Sequence, residues 1–576
     1  GGAYRDHRVR MAETAMSKPD AKRDFAGQWI TNERFCEVVP RNVFHRQLDK
    51  SSPVPRDPER ENRHVLFRRR FSLEQTDKTV VYITADDVYK LYINGTFVTQ
   101  GPCPGYSFHY FYNTVDISDY VKVGENVIAV HTYYQGLINR VWVSGDGQHG
   151  LLLDVCANGN TVLKSDDTFL CREHSAFSAV GIAGYDTQFL ERYDAAAPEV
   201  GFEKPGFDDA SGESARPRRH AAYDLFPQPS RRLEFEAIAP VEVKRRADRW
   251  LIDFGGIFVG SLAMNVTGTR GDEVVMRFAQ ELNDDGTPRH GLRANCDYVE
   301  YMRLSGGADQ LNQFDYKSFR YVEIECPENC RLDEPSIVLH ARHYPFELKA
   351  ECKYNDEASL AIWDLCVNTL RYGVQEFIQD CMEREKGYYL GDGCYSLLTF
   401  CLLTRDYTVM EKFFDDFLRT AFVNRGLMTC SSCSFMQEIA EYPLIMFTTL
   451  LEYCYLVGDY DFVRERYAAF VDVLDFYAEQ YAEPDGLLNN LDKWCVVEWP
   501  DNMRDGYDVD LTEGQVCRTK HNVINAYYLG AIKCLNKVAT LIGVTPYKTP
   551  DAMSELEASF VAAFYDRQHN LFTDSV

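Results

Sequence analysis

Asn355-Asp356-Glu357-Ala358-Ser359-Leu360-Ala361-Ile362-Trp363-Asp364-Leu365-Cys366-Val367-Asn368-Thr369-Leu370 is the stretch at which the hydrophobic period of this chain changes. Leu360, Trp363, Val367 and Leu370 are spaced by 3, 4 and 3 positions, which puts all four on one face of a helix with Asn355 placed to cap its start. The same helical period recurs at about 394–404, 408–422, 439–457, 460–481, 521–543 and 551–565. Everything after residue 355 therefore predicts an all-α block built from hairpins.

Upstream the runs are short and of β type. Val65 to Phe71, Thr79 to Thr84, Val88 to Ile93, Asn126 to Tyr134 and Leu151 to Val155 lack helical period. Asn94-Gly95 between two of them is a two-residue hairpin signal, because both central positions of a type I′ turn need positive φ. After a stretch at 200–235 rich in Pro, Arg, Ser and Asp come Trp250 to Phe254, Ser261 to Val266, Glu273 to Phe278, Tyr298 to Leu304 and Phe319 to Glu325, separated by Gly and Asp turns. Strands followed by paired helices argue for separate β and α domains rather than one mixed sheet. The expected division is 1–60, a lead-in packing on the first β domain; 61–235, a first antiparallel β-sandwich with its connector; 236–347, a second β-sandwich; and 348–576, the helical domain.

Sixty-one Lys plus Arg against 87 Asp plus Glu give a formal charge of −26, which repels phosphate backbones and anionic membrane surfaces. Neither nucleic acid nor a membrane is an expected partner. No apolar run reaches the roughly 18 residues that span a bilayer. The basic clusters Arg216 to His220 and Lys244 to Arg246 sit among Pro, Ser and acidic residues and read as solvated charge. Eighteen scattered cysteines without a framework fit reduced thiols and hence the cytoplasm. The chain begins Gly-Gly, with Met11 nearer a natural start, so an exported protein whose leader is absent is the alternative. Cys430-Ser431-Ser432-Cys433 has no second pair to complete a zinc site, and no phosphate loop, dinucleotide fingerprint or nucleophile elbow is present. No metal and no cofactor is expected, and the sequence is silent on oligomeric state.

Between the first two helical segments lies Asp380-Cys381-Met382-Glu383-Arg384-Glu385-Lys386-Gly387-Tyr388-Tyr389-Leu390-Gly391-Asp392. It packs four carboxylates, two cations, two tyrosines and two glycines into thirteen residues. A solvated turn with local ion pairs has the same composition. Clustered carboxylates also raise the pKa of at least one of their number, and glycosidic cleavage needs one protonated carboxylic acid and one carboxylate on the other side of the sugar. Arg384 and Lys386 oppose that shift if they face the same pocket. Gly387, Gly391 and Gly393 are expected as residues permitting tight or unusual backbone angles.

This stretch resembles the signature of the bacterial α-L-rhamnosidases of glycoside hydrolase family 78, with Asp380-Cys381, Arg384-Glu385 and Gly391-Asp392 in the family's places. Phe25 to Ile30, Leu91 to Gly95, Pro104-Gly105, Ile252-Asp253-Phe254-Gly255, Glu281-Leu282, Phe319-Arg320-Tyr321-Val322, Ile439 to Leu444 and His521 to Tyr528 are similar to further family blocks. The resemblance runs from about residue 25 to the end. It implies an inverting exo-glycosidase with an (α/α)6 barrel and a terminal α-L-rhamnoside, in an oligosaccharide or glycoside, as substrate. Glu385 matches the general acid. Asp380 and Asp392 match carboxylates that hold sugar hydroxyls and support the acid, and Arg384 matches a sugar contact. Tyr389 stands where the family usually has Trp. Tyr442 and Trp499 fall near two further aromatic wall positions, with Glu498 beside the latter among the sugar-contacting residues. Aromatic faces suit a 6-deoxy sugar, whose methyl and axial C–H groups can be buried while carboxylates take its hydroxyls.

The family's general base is a Glu late in the barrel, farther from the acid than the 191 positions left after Glu385. A ring of six hairpins likewise needs more helices than the roughly seven legible before Asn570. Both counts lead us to expect a barrel incomplete at its C-terminal side, with Glu498 or Asp501 as the alternative base. The rival functional expectations are a glycosidase of the same fold for another deoxy or uncommon sugar, and a carbohydrate-binding protein without hydrolysis.

Overall fold

Alternating runs upstream of residue 230 build two sheets that share one core. The first has the order Arg216–Pro217, Ile30–Thr31, Gly150–Ala157, Thr79–Asp86, Tyr110–Asp116 and Leu225–Pro227, and the second Glu213–Ser214, Leu170–Glu173, Arg63–Leu73, Gly124–Tyr134, Val88–Ile93 and Thr96–Gly101. Val81, Ile83, Leu151 and Leu153 from one meet Val65, Phe67, Leu91 and Val130 from the other, all fully buried. Each such side chain contributes about 1.5–3 kcal/mol relative to exposure. Asn94 and Gly95 take φ of 50° and 87° between the paired Ile93 and Thr96, as the hairpin signal predicts. The computed structural model describes residues 22–40, 56–76, 78–137, 147–210, 212–422, 425–426, 439–491, 493, 495 and 519–573.

The lead-in places Trp29 and Ile30 against these sheets, both buried, with Ile30 opposite Leu151. The basic cluster beginning at Arg216 is not all solvated. Arg216 and Arg219 pair with Glu33 and Glu37 at the surface, whereas Arg218 is buried, donates to Asp86 at 3.0 Å and lies 4.0 Å over the ring of Trp29. The segment runs along the sheet edge, and a carboxylate already inside the sheet makes burial of this guanidinium tolerable.

A ten-stranded sheet follows, centred on the long strand Arg249–Thr267, which pairs with Lys317–Glu325 and Arg331–His343. The hairpin Phe177–Ala183 and Gln188–Asp194, although inside the 61–235 span, belongs to this sheet. Gln188–Asp194 runs parallel to Val299–Arg303. Its turn at 184–187 thereby reaches toward the helical domain. The block Ile252-Asp253-Phe254-Gly255 is a structural device: Arg320 donates to both carboxylate oxygens of Asp253 at 2.8 Å, and the strand bends at Gly255, φ 82°.

Seven helices lie among the described residues: α1 (Glu357–Gly373), α2 (Leu390–Thr404), α3 (Thr408–Arg419), α4 (Tyr442–Val457), α5 (Asp461–Tyr481), α6 (Asn522–Ile542) and α7 (Pro550–Phe564). The cap of α1 is Asp356 rather than Asn355, its carboxylate accepting from the Ser359 amide at 2.8 Å. The two differ by one position, and a carboxylate at the positive end of the helix is favoured further by the dipole. Val367 is buried and Leu370 packs on the core, while Leu360, Ile362 and Leu365 are exposed. Leu397, Phe400, Phe413, Phe417, Leu450 and Tyr477 form the centre of the helical core. Helix α1 leans on the ten-stranded sheet through Tyr372, which meets the Phe258 ring edge-on at 5.4 Å and donates to Glu236 at 2.6 Å. Among the described residues no helix is long and apolar enough to cross a membrane.

Candidate active site

The loop between α1 and α2 closes on itself at Asp380. The Asp380 amide donates to the Gly387 carbonyl at 3.0 Å and the Gly387 amide returns to Asp380 Oδ1 at 2.7 Å. This turns residues 381–386 into a tight lobe with Glu385 on it. Tyr389 Oη donates to Glu385 Oε2 at 2.6 Å. Asp392, in the first turn of α2, is open to solvent and accepts from Tyr442 Oη, at the start of α4, at 3.4 Å. Asp380, Glu385, Tyr389, Asp392 and Tyr442 thus converge at the N-terminal ends of α2 and α4.

Burial pushes the Asp380 carboxyl up to about 7, and the like charge of Glu385 adds to the shift against the Gly387 amide. Asp392 is pushed up as well, first by the protein packed around its inner side and then, more weakly, by Glu385. The raised pKa expected of a carboxylate cluster therefore falls on the two aspartates. Lys386 does not oppose it, because its side chain turns away into the ten-stranded sheet. Arg384 Nη1 donates to Glu383 at 3.0 Å and stands within electrostatic reach of Asp380 and Glu385.

The three glycines are required for a reason other than backbone angle, since none has positive φ. A Cβ on Gly387 would sit 2.4 Å from the Tyr389 ring, one on Gly391 2.7 Å from the Tyr442 ring, and one on Gly393 2.4 Å from Phe413. Two of them let the Tyr389 and Tyr442 rings approach the backbone of this segment closely. The left-handed residue of the loop is Lys386, at φ 52°. Tyr388, by contrast, belongs to the core, stacked on Phe377 at 4.7 Å and donating to Asp416 at 3.0 Å.

Trp499, Glu498 and Asp501 lie outside the described residues, as do Cys430 and Cys433. Sequence reasoning missed Thr187, Asp315 and Tyr316, which touch the loop from the ten-stranded sheet. Their only signal was the buried end of Lys386, which a charged residue in a polar loop does not announce.

Three family models match consecutive parts of the chain: the N-terminal domain of α-L-rhamnosidase at 74–243, the concanavalin-like domain of bacterial α-L-rhamnosidase at 243–340, and its six-hairpin glycosidase domain at 350–575. An α-L-rhamnosidase of Formosa agariphila is 23% identical over 483 residues, covering 75% of this chain and 49% of the relative. One from Streptomyces avermitilis is 25% identical over 280 residues, covering 45% and 26%. The chain spans half or less of the length of these curated relatives. Among solved structures, the family 78 rhamnosidase of Bacillus sp. GL1 superposes with a TM-score of 0.82 over 96% of this chain and 78% of that one, at 14% identity. The α-L-rhamnosidase of Streptomyces avermitilis complexed with L-rhamnose does so at 0.72 over 90% and 49%, at 20% identity. Likeness at such identities concerns the fold.

Proposed function

Because the chain belongs to the bacterial α-L-rhamnosidases of glycoside hydrolase family 78, we propose that it hydrolyses terminal α-L-rhamnosides with inversion, Glu385 acting as the general acid. The observation that carries this reading is the convergence of Asp380, Glu385 and Asp392 with two tyrosine rings at one end of α2 and α4. Glu385 gives its proton to the glycosidic oxygen as the C–O bond breaks, and a water attacks the anomeric carbon from the opposite face. A base carboxylate about 6.5–9.5 Å across the sugar takes the proton from that water. The base comes from outside the described residues, Glu498 and Asp501 being candidates within this chain. In this reading α1 to α7 belong to an (α/α)6 barrel, and Trp499 completes the aromatic wall.

Asp380, titrating near neutrality, offers a sugar hydroxyl an acceptor or a donor. Asp392 and Arg384 contact further hydroxyls. Tyr389 and Tyr442 cover the deoxy methyl and the C–H face. The test is Glu385→Gln, assayed on an aryl α-L-rhamnoside beside a panel of other aryl glycosides, with circular dichroism confirming the fold. A fall of about 10²–10⁴-fold is expected, with rhamnoside the preferred member of the panel. Turnover close to wild type would sink the assignment of the acid. Release of the sugar first as its α anomer would sink inversion.

A further inference from the structure

Both residues flanking Glu385 are held from outside the helical domain, Arg384 by its backbone carbonyl and Lys386 by its side chain. On one side the Arg384 carbonyl accepts from the Tyr185 amide at 3.1 Å and from the Thr187 hydroxyl. Both donors sit on the turn between Phe177–Ala183 and Gln188–Asp194. Gly184 of that turn, φ +70°, comes so close that a Cβ there would lie 2.2 Å from the Arg384 oxygen. On the other side Lys386 Nζ donates to the Tyr316 carbonyl at 2.8 Å, lies 3.7 Å from Asp315 Oδ1, and sits 3.7 Å from the centre of the Tyr316 ring. Tyr316 Oη also receives Gln379 Nε2, just before the loop, at 2.5 Å.

The two anchors are themselves one unit. Glu191, on the strand that follows the 184–187 turn, accepts the amides of Phe314 at 3.0 Å and Asp315 at 2.7 Å. Glu300 accepts from Gln313 at 2.6 Å and pairs with Lys317 at 2.8 Å. The turn and the 313–317 loop are locked together inside the ten-stranded sheet before either meets the helical domain.

Lys386 is an unusual residue to use in this way. Its side chain is 1% exposed, burial pushes its ammonium down to about 8, and its backbone is left-handed. Lysine is almost never fully buried, and a strained non-glycine backbone costs about 1–3 kcal/mol. Two unfavourable features next to the acid persist only where the surroundings over-determine them.

We propose that the ten-stranded sheet sets the position of Glu385, with Lys386 and Thr187 as positioning residues that clamp the backbone on its two sides. The proposal rests on Glu385 being the acid. Displacing an acid by about 1 Å costs on the order of a hundredfold in rate, so the clamp acts on the chemical step rather than on sugar affinity.

The test compares Lys386→Met and Thr187→Val, the second an isosteric change that leaves every charge in place, alone and combined with Glu385→Gln. Kinetics use an aryl α-L-rhamnoside, and hydrogen exchange is followed by mass spectrometry on peptides spanning 380–389 and 442–457. We expect each variant to lose about ten- to a hundredfold in kcat with KM little changed, to add little in the Glu385→Gln background, and to speed exchange at 380–389 but not at 442–457. Wild-type kcat and unchanged exchange at 380–389 in Thr187→Val would overturn the proposal. So would a loss in either variant that is fully retained on top of Glu385→Gln. If Glu385→Gln itself leaves turnover intact, the acid assignment fails, and exchange at 380–389 still decides whether the clamp exists.

Discussion

Tyr389 Oη donates to Glu385 Oε2 at 2.6 Å, across a backbone that Gly387 keeps clear of the ring. Where the family usually has Trp, this chain carries a hydroxyl aimed at the carboxyl proposed as the acid. That bond fixes the rotamer of Glu385, and a hydrogen bond between neutral groups contributes about 0.5–1.5 kcal/mol.

Tyr389→Phe keeps the ring and removes the hydroxyl. The expected result is a fall in kcat on an aryl rhamnoside of about tenfold or more, equivalent to about 1.4 kcal/mol or above, with the sugar wall and KM largely preserved. An unchanged kcat would show that Glu385 is oriented without this bond.

Asp380 makes a stability prediction whose sign follows from its raised pKa. Between its ordinary value of 3.8 and about 7, the folded protein holds a proton that the unfolded chain has released, so stability falls as pH rises through this window. Asp380→Asn keeps an acceptor for the Gly387 amide and removes the charge. It should melt higher than wild type at pH 8, with the difference shrinking toward pH 4, while turnover is lost. A variant no more stable than wild type at pH 8 would contradict the burial of this carboxyl.

The switch from strands to helices near residue 355 and all seven described helices were legible, because amphipathic period is a local property of the chain. The stretch 380–392 stood out as a candidate site for a similar reason, since its carboxylates are neighbours in sequence. What was not legible depends on partners far away. Nothing local says that Gln188–Asp194 will lie beside Val299–Arg303, since alternation specifies a buried face but not which strand pairs with it. Arg218 reads as solvated until Asp86, 132 positions earlier, is found against it. Lys386 reads as an exposed charge until Tyr316, 70 positions earlier, is found to accept from it. The glycines were noticed but for the wrong cause, because the ring contacts at Gly391 and Gly393, with Tyr442 and Phe413, are tertiary.

Gly391→Ala tests that cause. The added methyl would meet the Tyr442 ring at 2.7 Å, so the ring must swing and the 3.4 Å contact of its hydroxyl with Asp392 must open. Overpacking of this kind costs about 1–3 kcal/mol. Chemical denaturation should show that loss, and KM for the rhamnoside should rise because a wall of the proposed pocket has moved. A change in backbone angle alone would leave alanine neutral here, since a φ below zero admits it.

Asp253, paired with Arg320 in the ten-stranded sheet, gives the opposite pH dependence from Asp380. The hydrogen bonds from Arg320 hold its carboxyl below the usual carboxylate range, so the stability it contributes is present above the unfolded value of about 3.9 and is lost as pH falls through the folded pKa. Arg320 is 36% exposed, and screening of such a pair by water limits its worth to about 1 kcal/mol. Asp253→Asn should therefore lower stability by about that amount at pH 7 and by progressively less as pH falls through the carboxylate range, with kcat and KM on the rhamnoside unchanged. Denaturation curves at pH 3, 5 and 7 measure the convergence. Lost turnover in a folded Asp253→Asn protein would mean that the strand bend at Gly255 reaches the site, and that this family block does more than brace the sheet.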